Sequence, residues 1–485
     1  MGKIQAVAGL VCALCLSACI PALPKGPARL PNTHVPSSYA VGSTSSASAA
    51  ESATAAESTS AAQLKWSEFF TDRKLDALIE EALKNNQELQ IVALELDIAQ
   101  NEVMSRKGDF LPKLSFRTGV GIDKVGQYTS QGASDDANKV AQNLPNFALG
   151  FSASWEIDVW SKLRNATKAA TVRYLATQEG RNLAITMLVA EIANSYYELM
   201  ALDAQLDVVN QNIEIQQRAL TVVKLQKEAA KVTELAVQRF EAEVLKNQSR
   251  QFAIQQQRIE TENHLNFLLG RFPQHVDRSA QPFVDLVPQV VHAGIPSQLL
   301  DNRPDVKQAA LQVMASELDV KVAKASFYPV IGISANIGIQ SFDVLKLVSM
   351  PASLVYGLAA DLMTPLLNRK ALTATYFTAN AKQMQAVYQY ERAILSGYVE
   401  VVKLLSMIHN LEQSYDLQAA QVDKLKKSIE ISSRLFVSAR ADYMEVLLTR
   451  RDSLEAEVSL IETKRRQWLA VVALYQALGG GWRKG

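Results

Sequence analysis

Cys19 is the residue whose neighbouring sequence most clearly predicts a chemical modification. The sequence Leu16-Ser17-Ala18-Cys19 ends an apolar run that starts after Lys3 and is too short to cross a bilayer. Such a run followed by these four residues is typical of a secretory signal that ends in a bacterial lipobox. We therefore expect cleavage before Cys19 and attachment of acyl and diacylglycerol chains, which anchor the new N-terminus by burying methylene groups in lipid. The alternative is an ordinary signal peptide with an incidental cysteine.

The residues near Cys19 also bear on the compartment. Ile20 stands where an aspartate is the usual signal for retention in the inner membrane, so the outer membrane is favoured. Cys12 and Cys15 would be removed with the signal. Cys19 would then be the only cysteine left, and no intramolecular disulfide is expected despite an oxidising compartment.

The rest of the sequence offers little that could act on a substrate. Its histidines are scattered without the spacing of metal ligands, so no metal site or cofactor is expected beyond the lipid on Cys19. No glycine-rich phosphate loop follows a strand, and no nucleophile can be paired with a base, so we expect no enzyme. The 50 Lys and Arg residues balance 49 Asp and Glu residues, which argues against nucleic acid as a partner. The histidines are His34, His264, His275, His292 and His409.

The elements that follow the N-terminus occur twice. Phe110-Leu111-Pro112 recurs 217 residues later as Phe327-Tyr328-Pro329. Leu268-Leu269-Gly270 recurs 209 residues later as Ala477-Leu478-Gly479, and a shorter loop in the second half explains the smaller offset. A repeat of about 200 residues is far longer than a solenoid unit and indicates a duplicated half-molecule.

Each half contains one very long helical pattern. Apolar residues recur every seven positions from Ile185 to Leu220, and the same register continues from Ile394 to Ile429 in the second half. A seven-residue repeat sustained over this length is typical of coiled-coil packing. Two unrelated amphipathic helices would not predict matching registers.

The helical patterns can be given lengths. The long ones run without proline from about Trp160 to Ala230 and from about Arg369 to Ala439. At 1.5 Å per residue each would reach roughly 105 Å, far more than a compact domain requires. Each turns back into a shorter helix, and another helix precedes each Phe-x-Pro motif. The predicted ranges are Thr233–Leu269 and Tyr443–Leu478 for the return helices, and Gln87–Gly108 and Asp305–Phe327 for the preceding ones.

Four short segments alternate apolar and polar residues and predict strands. They centre on residues 116–123, 147–158, 331–340 and 356–363. Each has about the 9–11 residues that a tilted transmembrane strand needs, and the alternation fits a barrel with lipid outside and water inside. A half-exposed sheet packed on the helices is the alternative. The segments form two hairpins, for which we expect Gly-, Ser-, Asp- and Asn-rich tips near Lys124–Leu144 and Ser341–Ser353.

Four strands cannot close a barrel, and an open edge inside lipid leaves backbone groups without hydrogen bonds. Two copies of the chain would give eight strands around side chains, whereas three would give twelve around a lumen. A pore therefore requires a trimer. The predicted fold is mixed α and membrane β: a long α-helical coiled-coil barrel plus a four-stranded contribution to a 12-stranded trimeric transmembrane β-barrel, internally duplicated.

These patterns divide the chain into nine parts. Residues 20–62 contain five prolines followed by a Ser-, Ala-, Thr- and Glu-rich stretch, which is typical of an extended or disordered tether. Order is expected to begin near Trp66. The parts are a signal peptide (1–18), a lipidated tether (19–62), equatorial helices (63–112), a first membrane hairpin (113–158), a first long helical hairpin (159–270), an equatorial segment and helix (271–329), a second membrane hairpin (330–364), a second long helical hairpin (365–478) and a tail (479–485).

Four stretches have the character of a family signature: Trp66–Phe70, Trp155–Trp160, Ile295–Asp305 and Ala477–Trp482. Through them, nearly the whole mature chain resembles the TolC-like outer-membrane efflux proteins, in particular their acylated branch. The resemblance implies a trimeric channel that serves as the passive exit duct of a tripartite efflux system, together with a periplasmic adaptor and an inner-membrane transporter of the RND type. Use in type I protein secretion and a lipid-anchored periplasmic scaffold are the alternatives.

The resemblance also places a closable end at the two helix turns, near Ala230 and Ala439. The family usually has glycine there, which eases a left-handed turn, so alanine implies a slightly different or stiffer tip. The residues expected at this gate are Arg440, Asp442 and Glu445, and three copies of a carboxylate around a narrow opening would attract cations. Ala236 and Leu448 stand where relatives often have aspartate, so a hydrogen-bonded latch is not expected.

Overall fold

The computed structural model describes residues 20–39, 61–288, 291–364, 369–438 and 443–483. Within them the strands are β1 (Lys113–Asp123), β2 (Leu144–Ile157), β3 (Val330–Ser341) and β4 (Leu354–Met363). The helices are α1 (Trp66–Phe69), α2 (Arg73–Asn85), α3 (Gln87–Gly108), α4 (Ser130–Ala137), α5 (Lys162–Glu228), α6 (Glu234–Leu268), α7 (Gln298–Asn302), α8 (Pro304–Ala325), α9 (Lys370–Val437) and α10 (Tyr443–Ala477).

The four strands form one antiparallel sheet in the order β1-β2-β3-β4. The two predicted hairpins are therefore joined, because β2 also pairs with β3, for example at Phe151 and Ile337. The registers place like residues opposite each other, so one face of the whole sheet is apolar and the other is rich in glycine and polar side chains. Across the sheet one apolar row consists of Phe116, Phe151, Ile337 and Tyr356.

The two loops at the hairpin ends differ from each other in character. The β1–β2 loop (residues 124–143) contains the short helix α4, which was not predicted. Its N-cap is Thr129, whose hydroxyl accepts a hydrogen bond from Gly132 N at 3.0 Å. The β3–β4 loop (residues 342–353) contains a 3-10 turn at Val344–Lys346 and exposes mostly apolar side chains, so the prediction of a polar second tip was wrong.

The two long helices confirm the sequence prediction to within two residues at each described end. Helix α5 has 67 residues and α9 has 68, and each turns back into a helix of 35 residues. The seven-residue series is buried where it was expected to be, with Ile192 and Leu199 fully buried in α5 and Val401 fully buried in α9. Periodicity predicts these helices well because each buries one continuous apolar stripe.

The duplication is visible where the return helices end. Asn86 Nδ2 donates to the carbonyl of Leu268 at 2.9 Å, and Arg303 Nη1 donates to the carbonyl of Ala477 at 2.6 Å. The last carbonyls of a helix have no hydrogen-bond donor within their own helix. In each half, a side chain just before α3 or α8 thus donates a hydrogen bond to one such carbonyl of the return helix. Pro304 then occupies the first position of α8, where its missing N–H costs nothing.

The helix ends at these junctions use glycine for a physical reason. Gly270 and Gly479 follow the return helices with φ of +70° and +92°. A Cβ on Gly270 would lie 2.5 Å from the carbonyl oxygen of Asn85, and one on Gly479 would lie 2.5 Å from that of Asn302. Both positions therefore require glycine twice over, for their left-handed backbone and for the close approach of a neighbouring chain segment.

The described chain divides into two compact units. The first comprises residues up to Pro31, Leu96–Ala176 and Ala310–Gln389, and it contains the sheet. The second comprises Asn32–Glu95, Thr177–Ala309 and the residues from Tyr390 onward. Its largest apolar cluster includes the fully buried side chains of Phe70, Leu75, Ile79, Ile192, Tyr196 and Leu265. Among the described residues, no helix combines the length and hydropathy that crossing a membrane requires.

Asp76 in α2 makes this second unit sensitive to pH. Burial, together with the nearby carboxylates of Asp72 and Glu80, raises the pKa of Asp76 to about 6. One carboxyl oxygen of Asp76 is buried without a hydrogen-bond partner. Because the pKa in the folded protein lies above the ordinary aspartate value of 3.8, this site stabilises the fold at low pH, and that contribution is lost as pH rises through 6.

We therefore expect Asp76→Asn to stabilise the protein at pH 7.5 by about 1 kcal/mol, a value reduced from the full shift because the side chain is only partly buried. The measurement is the unfolding temperature of the purified protein at pH 7.5 and at pH 4. The two proteins should differ at pH 7.5 and converge at pH 4. Equal unfolding temperatures at pH 7.5 would contradict the account.

Candidate functional site

The polar face of the sheet carries a continuous hydrogen-bonded network near the loops. Asn146 Nδ2 on β2 donates to Asp123 Oδ2 on β1 at 2.6 Å, and Gln340 Nε2 on β3 donates to Asn146 Oδ1 at 2.9 Å. These side chains bridge three strands of the sheet. A face of this kind can line a water-filled passage.

The apolar face is exposed in the single chain. Phe116, Val120 and Ile122 on β1 and Tyr356 and Leu358 on β4 are between 59% and 80% exposed. An apolar surface of this extent is too large to face water and is typical of contact with lipid. Each of these side chains lies on the face that the alternation predicted to point outward.

Aromatic residues mark the end of the sheet that is joined to the helices. Trp155 Nε1 donates to the carbonyl of Phe110 at 2.8 Å, and Trp160 Nε1 donates to that of Pro329 at 2.7 Å. The ring of Trp160 stacks on Tyr328 at 4.9 Å. Indole rings with one polar bond and one apolar body are typical of the boundary between lipid and water.

Two glycines on the polar face bring β2 and β3 unusually close. A Cβ on Gly338 would lie 2.4 Å from the carbonyl oxygen of Leu149 and 2.8 Å from Cα of Gly150. A Cβ on Gly150 would lie 2.6 Å from the carbonyl oxygen of Ile337. Both glycines are therefore required by backbone approach across the strand pair rather than by their own torsion angles.

The N-terminal segment, residues 20–39, is extended, which is one of the two forms expected for the tether, and it makes specific contacts. In the first unit, Ile20 and Leu23 pack against Phe327 and Tyr376. Asn380 Nδ2, near the start of α9, donates to the carbonyl of Gly26 at 3.0 Å. The segment therefore starts beside the residues that lead into β3 and then follows α9.

The same segment continues along α9 in the second unit. The backbone N–H of Asn32 donates to Glu391 Oε1 at 2.7 Å. Tyr39 stacks on Tyr398 with 5.6 Å between ring centroids. Residues 61–62 are also buried, so order begins before Trp66. Cys19 itself lies outside the described residues.

The first helix-turn tip contains Ala230 in a left-handed conformation with φ of 55°. Ala230 N donates to the carbonyl of Lys227 at 2.9 Å, and Lys231 N donates to that of Gln226 at 2.8 Å. This pair of bonds is a Schellman motif with alanine at the position that glycine normally occupies. The turn therefore keeps the usual geometry, and alanine adds strain to it.

Charged pairs surround the same tip. Lys227 forms an ion pair with Glu234, and Lys224 Nζ lies 2.5 Å from Glu241 Oε1. The hydrogen bond between Lys227 and Glu234 lowers the pKa of Glu234 and raises that of Lys227. Both groups are fully exposed, so the pair contributes orientation to the turn more than stability.

Of the residues predicted at the second tip, Ala439, Arg440 and Asp442 lie outside the described residues. Glu445 is exposed in the first turn of α10, and its carbonyl accepts a hydrogen bond from the Thr449 hydroxyl at 2.6 Å. Ala236 is fully buried in an apolar cluster with Val223, Phe240 and Leu447. This position contributes packing, as expected from the absence of an aspartate.

Replacing Ala230 with glycine should relieve the strain of the first tip. We expect stabilisation of about 1 kcal/mol, since a left-handed alanine costs 1–2 kcal/mol and glycine gives back part of that gain through its greater freedom when unfolded. Ala229→Gly, one residue earlier in a right-handed position, is the control and should destabilise the protein. Denaturant unfolding of both variants provides the measurement. If Ala230→Gly lost as much stability as Ala229→Gly, Ala230 would not be strained in the native turn.

Among the described residues, no group of three or more His, Cys, Asp and Glu side chains is positioned to hold a metal ion. His264 Nε2 lies 3.1 Å from Glu191, and His275 Nδ1 lies 3.1 Å from Glu262. These are surface pairs on the second unit, remote in sequence from the sheet.

The sequence pattern that defines the outer membrane efflux proteins matches residues 78–271 and 295–480, which is most of the chain and both of its halves. The chain belongs to the outer membrane efflux protein family. It is therefore a channel-forming protein of the outer membrane that extends into the periplasm, and the predicted membership of the outer-membrane efflux proteins is confirmed.

Similar proteins of this family include transport components of several kinds. The chain is 28% identical over 422 residues to the pyoverdine export outer membrane protein OpmQ of Pseudomonas putida, covering 86% of this chain and 88% of that one. It is 26% identical over 419 residues to the cation efflux system protein CusC of Escherichia coli, with the same coverage. The open-state MtrE outer membrane channel of Neisseria gonorrhoeae has the same fold, with a TM-score of 0.81 at 21% identity over 94% of this chain and 98% of that one.

The family's fold combines a helical barrel with a β-barrel, as predicted. Sequence reasoning missed two features that matter here. The role of Arg303 was not identified, although its motif was recognised, because its partner Glu400 is 97 residues away. The apolar β3–β4 loop was missed because its serines suggested a turn, while its Phe, Val, Leu and Met residues carried the informative signal.

Proposed function

We propose that three copies of this chain form one outer-membrane duct whose lumen is lined by the polar face of the sheet. The observation that carries the proposal is the register of the four strands, which places polar residues on one face of the sheet and apolar residues on the other. The row of Phe116, Phe151, Ile337 and Tyr356 is apolar in all four strands. Such a sheet needs lipid on one side and water on the other.

The edges of the sheet support three copies. In the described chain, β1 and β4 each pair on one side only. An unpaired edge is not tolerated inside a bilayer, so β1 of one copy pairs with β4 of the next. Twelve strands leave a lumen, whereas eight are filled by side chains.

Cysteine pairs test this closure. Within one chain β1 and β4 are three strand spacings apart, about 14 Å, which exceeds the reach of a disulfide. Closing a barrel staggers the register of neighbouring strands, so a cysteine is placed in turn along the apolar face of β1 from Leu114 to Ile122. Combined with Tyr356→Cys or Leu358→Cys, it should therefore yield covalent dimers and trimers on oxidation at the register where two copies meet. Phe116→Cys with Phe151→Cys, which face each other within the chain, is the control and should give monomers only. Monomers for every β1–β4 pair would refute the closure.

We further propose a periplasmic adaptor and an inner-membrane transporter of the RND type as partners. The family's members serve export and efflux, and this chain offers long helical hairpins, the first of which ends in an exposed turn at Ala230. The duct itself is passive. Export of small solutes is favoured over protein secretion because the similar proteins named above are described as exporters of pyoverdine and of cations.

The cargo class can be tested in a strain that lacks this protein. Cells are loaded with a siderophore, a metal cation or an organic solvent, and the retained amount is measured. One of these small solutes should accumulate several-fold and be released again when the gene is restored. Normal export of all of them together with failure to secrete a protein would favour the type I alternative.

We also propose that Cys19 carries the lipid. Ile20 follows it directly, and the packing of Ile20 against Phe327 and Tyr376 supports an acyl chain that starts beside the residues leading into β3. Mass spectrometry of the mature N-terminus should find acyl and diacylglycerol groups on Cys19, and Cys19→Ser should lack them. A mature N-terminus that begins at another residue and carries no acyl group would exclude the lipid anchor on Cys19.

The gate is proposed at the second tip, with Arg440, Asp442 and Glu445. Glu445 is exposed at the start of α10, where three copies of its carboxylate would form a ring. We expect the double substitution Glu445→Ala, Asp442→Ala to reduce cation preference, measured as the reversal potential of the reconstituted trimer in a salt gradient. Glu228→Ala, at the end of α5, is the control. An unchanged reversal potential would exclude these residues from the gate.

A further inference from the structure

The β3–β4 loop exposes several large apolar side chains. Leu345, Val348 and Met350 are 84%, 75% and 63% exposed. Phe342 and Val344 are 59% and 55% exposed. Five large apolar side chains within nine residues form a patch whose exposure to water is unfavourable.

The backbone of this loop is ordered and satisfied from within. Asp343 caps the short turn, its Oδ1 accepting from Leu345 N at 3.0 Å. Lys346 N donates to the Asp343 carbonyl at 3.0 Å, and Ser349 N donates to that of Lys346 at 3.0 Å. The loop can therefore enter an environment of low polarity without leaving these peptide groups unpaired.

The charges of the loop are also compatible with such an environment. Its charged residues are Asp343 and Lys346, whose Nζ and Oδ2 lie 4.0 Å apart. Lys346 Nζ also lies 5.7 Å from the centre of the Phe342 ring. A long lysine chain can follow apolar surface while its ammonium group stays in the headgroup region.

The other loop at the same end of the sheet provides an internal comparison. The large apolar side chains exposed in the β1–β2 loop are Tyr128 and Val140. That loop contains Lys124, Asp135, Asp136 and Lys139, and its helix α4 is polar. Two loops in equivalent positions of a duplicated chain thus have opposite character, which indicates that they meet different surroundings.

We propose that the β3–β4 loop is an interfacial anchor that inserts its apolar side chains into the outer leaflet of the outer membrane. The loop continues directly from β3 and β4, whose apolar face already contacts lipid. Ser341, the last residue of β3, lies on that same face opposite Phe147. An apolar turn that continues a lipid-facing surface lies most stably at the boundary of headgroups and acyl chains. The β1–β2 loop remains in water.

The test uses an environment-sensitive fluorophore attached to single cysteines of the full-length trimer in lipid vesicles. Leu345→Cys and Val348→Cys report on the β3–β4 loop, and Ala133→Cys in α4 is the control at the same end of the sheet. The unsubstituted chain, labelled in parallel, supplies the background from its own cysteines. Each labelled protein is checked for trimer assembly before measurement.

A nitroxide quencher attached to lipid near the headgroup should quench residues 345 and 348 about threefold more strongly than residue 133. Iodide in the aqueous phase should show the opposite order. Equal access of iodide to all three positions would overturn the proposal. So would self-quenching in fully labelled trimers that disappears on partial labelling, because it would place the three loops together above the pore.

Discussion

Gly338→Ala is expected to reduce the amount of assembled trimer in the outer membrane by about tenfold. The added Cβ would lie 2.4 Å from the carbonyl oxygen of Leu149 and 2.8 Å from Cα of Gly150, and both are backbone atoms that cannot move aside independently. Overpacking of this kind costs about 1–3 kcal/mol, and 1.4 kcal/mol corresponds to a tenfold change. Separation of β2 from β3 would open the sheet within lipid.

Gly332→Ala is the matched control, since Gly332 lies on the same strand and the same face. The nearest atom to its added Cβ would be the Asp361 carbonyl oxygen at 4.0 Å, an ordinary contact. The measurement compares heat-sensitive trimer in outer-membrane fractions at equal expression. Equal yields from the two variants would show that the close approach of β2 and β3 is not required.

Arg303→Met is expected to destabilise the second unit by about 3–5 kcal/mol, the range found when one partner of a buried ion pair is removed. Arg303 Nε and Nη2 bind the two oxygens of Asp305 at 3.0 and 2.8 Å, and Nη1 binds Glu400 at 2.9 Å. Burial alone would lower the pKa of the Arg303 guanidinium, but Asp305 and Glu400 outweigh it and hold that pKa above its usual value. Methionine would leave these groups and the carbonyl of Ala477 without their donor.

The measurement is the unfolding temperature of the purified protein, which should fall by about 10 °C. Arg303→Lys separates charge from geometry, because lysine keeps the charge but cannot bind two carboxylate oxygens side by side. Its unfolding temperature should lie between those of the wild type and Arg303→Met. No change in either variant would mean that the junction of α8, α9 and α10 does not depend on this side chain.

Periodic features of this fold could be predicted from the sequence, and isolated contacts could not. The seven-residue series that includes Ile192 in α5 and Val401 in α9 is repeated burial along each helix, and the alternation around Phe151 is the repeated placement of apolar side chains on one face of a strand. Each residue of such a series supports the same interpretation. Arg303 has no such series, because its partners Asp305 and Glu400 are brought together only by the fold.

The N-terminal segment illustrates the same limit. Its prolines correctly indicated an extended chain, yet Ile20 and Tyr39 reach α9 as single side chains with no periodic signal. The tip is a different case. Alanine at position 230 is unusual for the family resemblance, but only the structure shows that it keeps the left-handed turn of a glycine.

Single-channel recording tests the central claim most directly. Purified full-length protein is added to a planar lipid bilayer, and current is measured at fixed voltage. We predict discrete current steps from the wild type and from Gly332→Ala, and few or none from Gly338→Ala at equal protein concentration. Wild-type protein that inserts as a trimer yet passes no current under any voltage or salt would contradict the account of this chain as one third of an outer-membrane duct.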